Sequence, residues 1–212
     1  MYIYYPSCNF MKASPATEKK VKAYLKQRFN IGHTKCCRFE NLSSLKEFTA
    51  LTVCQACNEE IQRKEPTIQR MSIWEFIDQD TDFIYPDFKG KKMILQDCFR
   101  DAQNPKAYNA VRNIMLKMNI QIIELENKKE NADFCGLLHY EPKDNKLKDV
   151  WKQYDNCKLS RLPLELQTQF MEEQTALYKD NLVVCYCNSC LRGIKLGGGN
   201  GVHLLDLVMQ NQ

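Results

Sequence analysis

An α/β fold of two pseudo-symmetric strand–helix–strand, cysteine-rich units is predicted by three observations. One order of β-prone runs and helical runs occurs twice in the 212 residues. Each copy carries a C-x-x-C pair at the same place in that order, Cys54/Cys57 and Cys187/Cys190. Each copy also places a cysteine at the end of its first strand run, Cys8 and Cys98. Two copies of one α/β unit are the simplest account.

The first copy opens with Y-I-Y-Y-P-S-C (2–8), an aromatic run of the kind that pleated sheets favour. Ser14-Pro15 then starts a stretch with Val21, Tyr24, Leu25 and Phe29 at helical spacing. K-C-C-R (35–38) follows Gly32, and L-T-V-C-Q-A-C (51–57) reads as a strand entering a turn. S-I-W-E-F-I (72–77) closes the copy as a helix.

The second copy repeats the series. K-M-I-L-Q-D-C (92–98) matches the first strand, and Asn104-Pro105 opens a helix bearing Val111, Ile114, Met115 and Met118 on one face. Q-I-I-E-L (121–125) is a short strand before F-C-G (134–136). L-V-V-C-Y-C-N-S-C (182–190) matches L-T-V-C-Q-A-C, and V-H-L-L-D-L-V (202–208) matches the closing helix. The expected units are 1–88 and 89–212, joined near Pro86–Lys92. They differ in length: 16 residues separate Cys37 from Cys54, whereas 51 separate Cys135 from Cys187. The extra residues, about 138–180, are expected to form a surface insertion or lid with a helix after Pro163. Cys157 lies inside it as a lone thiol.

Composition narrows the chemistry. Eleven cysteines suggest disulfides first, but disulfide-dense proteins are mostly small secreted domains. A chain of this length with 44% apolar residues buries an ordinary core without staples. The start, M-Y-I-Y-Y-P-S-C, lacks a basic segment followed by a long apolar one, and no apolar run is long enough for a membrane span. A cytoplasmic protein with reduced thiols is expected, in which cysteine clusters serve metal or redox chemistry. The net charge of +4 is spread along the chain, so nucleic acid is not implied.

Parallel strands bring their carboxyl ends to one sheet edge, where such folds place ligands. Cys8, Cys36, Cys37, Cys54 and Cys57 are thereby expected at one centre, and Cys98, Cys135, Cys187 and Cys190 at another. Converging thiolates select zinc or iron–sulfur. The adjacent Cys36-Cys37 pair suits a multi-iron cluster better than one tetrahedral ion, which needs only four ligands. Cys185 stands two residues before Cys187 and is a candidate extra ligand, although the repeat aligns it with Thr52. His33 and His139 neighbour the two sites but read as surface residues, and His203 is expected in the final helix. L-G-G-G-N-G (196–201) lacks the pattern of a phosphate loop and reads as a connector.

The spacing C…C-C…C-x-x-C, complete once and repeated with one thiol missing, resembles the cysteine-rich CCG domain of the heterodisulfide reductase B subunit. The likeness runs from Tyr4 to Met209 and covers both copies. It implies a [4Fe–4S] cluster of noncubane type at the first site, held by Cys8, Cys36, Cys37, Cys54 and Cys57, that cleaves a disulfide. At the second site, Cys98, Cys135, Cys187 and Cys190, with Cys185 as an added candidate, imply a conventional [4Fe–4S] cluster or zinc. The family's role is an oxidoreductase subunit fed electrons by a flavin- or ferredoxin-like partner subunit and passing them to a thiol- or quinone-linked acceptor. Three departures stand out: Arg38 where the family has glycine, Phe134 where it has the first of its adjacent cysteines, and a first loop shorter than is usual in the family. The rival function is that of a non-catalytic zinc-binding or degenerate cysteine-rich interaction protein.

Overall fold

The computed structural model describes residues 1–154 and 159–212. Cys157, expected as a lone thiol, lies outside the described residues. Two four-stranded, wholly parallel sheets carry the chain. The first is built from β1 (Tyr2–Tyr5), β2 (Gly32–His33), β3 (Thr49–Thr52) and β4 (Arg70–Ser72) in the order β2-β1-β3-β4. The second is built from β5 (Lys92–Gln96), β6 (Gln121–Glu124), β7 (Val183–Cys185) and β8 (Gly201–His203) in the order β6-β5-β7-β8. The two orders are the same, and the α/β, two-unit architecture expected from the repeat is the one observed.

The helices expected after Ser14-Pro15, Asn104-Pro105 and Pro163 and at the two closing segments are present, and four further helices among the described residues, following Ser7, Cys54, Asp144 and Cys187, were not foreseen. In the first unit, α1 (Cys8–Ala13) and α2 (Pro15–Phe29) follow β1, α3 (Gln55–Lys64) follows β3 and α4 (Ile73–Gln79) follows β4. Proline at the first position of α2 fits, because its missing N–H would have no helical partner there. A capping box on α4 joins Ser72 and Glu75, each side chain accepting from the other's backbone N–H. The second unit has α5 (Pro105–Lys117), α6 (Asn145–Lys152), α7 (Leu164–Thr175), α8 (Asn188–Leu196) and α9 (Leu204–Val208). No helix among the described residues is long and apolar enough to cross a membrane.

Several local expectations need correction. Cys8 opens α1 rather than simply ending a strand. β4 and β8 are three-residue strands that the sequence reading merged into the closing helices. His203 consequently ends β8 and caps α9, its Nδ1 accepting the Leu205 N–H, instead of sitting inside the helix. The insertion is only partly a surface feature. α6 buries none of its residues, but Phe170, Met171 and Gln174 of α7 are buried, and Gln174 and Tyr178 bond to Gln96 on β5. α7 therefore belongs to the core of the second unit and is not a lid.

The units pack reciprocally. The start of α2 meets the end of the chain: Ser14 and Thr17 donate to the Asp206 carboxylate and Lys20 to the Met209 carbonyl. The end of α5 meets α4, with Asn113 and Lys117 both donating to Asp78. Each unit's first long helix thus lies on the other unit's closing segment. One apolar cluster, including Leu51, Trp74, Leu95, Val111, Val184 and Leu205, runs through both units.

Candidate metal centre

The four predicted second-site thiols come from three places at the carboxyl edge of the second sheet. Cys98 lies two residues beyond β5, at the cap of a 3-10 turn. Cys187 lies two residues beyond β7 and caps α8, with Cys190 in that helix's first turn. The C-x-x-C spacing turns both thiols inward from one helix start. Cys135 arrives on the loop after β6, anchored by its N–H to the His139 carbonyl at 2.8 Å and by its carbonyl to Ser189 Oγ at 2.8 Å. Gly136 allows that approach, because it has φ +55° and lies against the Ser189 carbonyl.

All four sulfurs lie within 4.8 Å of one another, and the residues are buried or half-buried. Cys98 Sγ is 3.6 Å from Cys135 Sγ, which is 4.0 Å from Cys187 Sγ. Crowding buried thiols together makes them share protons. Hydrogen bonds from Cys187, Cys190 and Cys98 hold the Cys135 thiol far below its ordinary range. Donation to Cys135 raises Cys98, and burial raises Cys190. A cation can replace those protons, since thiolates are what a metal binds. Among the described residues this is the group of His, Cys, Asp and Glu side chains whose spacing could hold a metal ion.

A charged network braces this edge from behind. The Asp97 carboxylate, buried beside Cys98, accepts from Arg112 Nη1 at 3.1 Å and from the Tyr186 hydroxyl at 3.0 Å. Tyr186 also accepts the Cys98 N–H at 3.2 Å, which ties the two cysteine-bearing turns together. Sequence reasoning passed over Asp97, Arg112 and Tyr186. Their only signal was position, Asp97 beside Cys98 and Tyr186 beside Cys187.

Cys185 stays outside the four. β7 ends at Cys185, so the alternation that would put Cys185 and Cys187 on one face does not continue through the turn. It is fully buried, and burial pushes its thiol well up. His139 stacks on Phe99, with ring centroids 3.5 Å apart, and Phe134 is a core side chain against Tyr140.

The five first-site thiols occupy the matching edge of the first sheet, arranged in two contacts. Cys8 and Cys36 have sulfurs 3.3 Å apart, Cys8 exposed and Cys36 half-buried. Cys57, in the first turn of α3, hydrogen-bonds to Cys37 and to Cys54, and this lowers each of those two to about 7. Tyr5, Cys8, Cys36, Cys37 and Cys57 line a narrow cleft too small to admit a water molecule. The two edges face each other through the ion pair between Arg100, beside Cys98, and Glu59, beside Cys57. Cys54 and Cys187 are close enough to repel each other's charge.

No protein-family model matches the chain, and no solved structure matches it. A curated relative, the UvrABC system protein C of Mycoplasmoides gallisepticum, is 27% identical over 187 residues, covering 79% of this chain. The chain spans 29% of that protein's length.

Proposed function

We propose that the protein binds one tetrahedral, four-thiolate metal ion, zinc by preference, at Cys98, Cys135, Cys187 and Cys190. The spacing of the sulfurs carries this reading. A Zn–S bond of about 2.3 Å sets the edges of a tetrahedron of sulfurs at about 3.8 Å. The observed 3.6 and 4.0 Å bracket that value. A four-iron cluster, with each thiolate on a different iron, holds its sulfurs much further apart. A closed four-thiolate site with no open position is the structural kind. It would fasten the ends of β5 and β7 to the loop after β6.

The cleft at the first sheet favours a second role beside this one. Tyr5 is buried there and its hydroxyl has no protein partner, while four thiols, Cys8, Cys36, Cys37 and Cys57, line the space. Together with the doubled cysteine order, this supports a heterodisulfide-reductase-B-like protein whose first edge is the reactive one. Cys8, Cys36, Cys37, Cys54 and Cys57 would hold an iron–sulfur cluster or act as thiols, with electrons supplied by a partner subunit.

Metal and sulfide analysis of anaerobically purified protein tests both. One zinc per chain, lost in Cys187→Ser, is expected at the second edge. Iron with acid-labile sulfide that Cys187→Ser removes would overturn the zinc reading. Iron and sulfide that survive Cys187→Ser and vanish in Cys54→Ser would place a cluster at the first edge.

A further inference from the structure

We infer that Cys8 and Cys36 form a redox-active dithiol that closes to a disulfide by exchange with a low-molecular-weight disulfide. The inference deepens the reading of the first edge as reactive and rests on it, but requires no cluster. The two sulfurs stand 3.3 Å apart across 28 residues. A disulfide needs about 2.05 Å, so closure takes a shift of roughly 1.3 Å. Cys36 sits in the irregular segment between β2 and the 3-10 turn at Leu42–Leu45, where such a shift meets no regular element.

Access separates Cys8 from the other described thiols, of which Cys36, Cys54 and Cys187 are half-buried. Cys8 is exposed, whereas Cys37 and Cys57 are buried in contact with each other and Cys98, Cys135, Cys185 and Cys190 are buried. A groove lined by Ile3, His33, Lys35, Cys36, Phe39 and Glu40 leads to Cys36. Phe39 is 90% exposed, an apolar wall for a ligand's carbon skeleton.

The exchange runs in two displacements. The Cys8 thiolate attacks one sulfur of the small disulfide; that sulfur becomes bonded to Cys8 as a mixed disulfide, the old S–S bond breaks, and the other sulfur leaves as a thiolate. The Cys36 thiolate then attacks Cys8 Sγ and expels the second small thiolate. Two protein thiols are oxidised, one small disulfide is reduced to two thiols, and the two protons pass to the products. The reverse sequence regenerates the dithiol.

Glutathione disulfide added anaerobically to the full, metal-loaded chain provides the test, read by intact mass and peptide mapping. The expected product has lost two hydrogens and shows one Cys8–Cys36 cross-link, with its metal content unchanged. Cys36→Ser is expected to stop at the mixed disulfide, one glutathione on Cys8, and to fold, as the zinc retained at the second edge reports. Free thiols at Cys8 and Cys36 after treatment overturn the inference. If those thiols are then found shielded from alkylation by bound iron and sulfide, the cluster reading of the first edge survives it. With neither iron nor cross-link, both fall.

Discussion

A Cβ added to Gly136 would stand 2.0 Å from the Ser189 carbonyl oxygen, a separation that side-chain carbons do not reach. The loop bearing Cys135 therefore lies directly on the turn bearing Cys187 and Cys190. Gly136→Ala is expected to cost at least about 2 kcal/mol from its left-handed backbone alone, and more from the clash. Because the clash pushes Cys135 away from the other three thiols, bound metal should fall with stability. Denaturant unfolding and metal analysis of the same preparation check both. A variant that keeps full metal would show that the loop can relax.

The cysteines near the C-terminus should divide sharply. Cys187→Ser and Cys190→Ser are expected to lose the metal. Cys185→Ser should retain it, with a stability loss of about 1–3 kcal/mol for an unpaired hydroxyl in a buried site. Metal content of the three purified variants decides this. Equal loss in Cys185→Ser would make Cys185 a ligand.

Arg112 neutralises Asp97 where water does not reach. Arg112→Met should destabilise the fold by about 3–5 kcal/mol, because it strands a buried carboxylate. Tyr186→Phe leaves the Cys98 N–H without its acceptor and should cost about 1–3 kcal/mol. The ranking is measurable by urea unfolding, and a Tyr186→Phe loss exceeding that of Arg112→Met would contradict it.

His203 is buried between Phe10 and Trp74, and burial depresses its pKa from 6.5 to about 4. The unfolded chain thus binds a proton that the folded chain refuses between those values. Stability from this residue is complete above pH 6.5 and declines as pH falls towards 4, by up to about 3 kcal/mol. His203→Asn keeps a cap acceptor for Leu205 and removes the titration. Its unfolding free energy should be flatter than wild type's over that window, and parallel curves would show that His203 is not the cause.

Much of the architecture was legible because it follows from short-range rules. Asn104-Pro105 and the face of Val111, Ile114, Met115 and Met118 specify α5 through capping and a 3.6-residue period. Cys54 and Cys187 had to lie at corresponding strand ends once the two halves were seen to repeat. β4 and β8 escaped notice because three residues carry no period; they exist as strands because β3 and β7 offer an edge to pair with.

By itself the sequence determined the two α/β units and the group of thiols available at each sheet edge. Chain order and strand direction are enough for that, since parallel strands deliver their ends to one side. Only the tertiary structure decided which thiols touch. Four came within 4.8 Å because Gly136 admits a backbone contact, while the first edge, with Arg38 in the equivalent place, holds its thiols in two separate contacts. Metal geometry and thiol exchange turn on differences of an ångström, and packing between distant segments sets distances of that size.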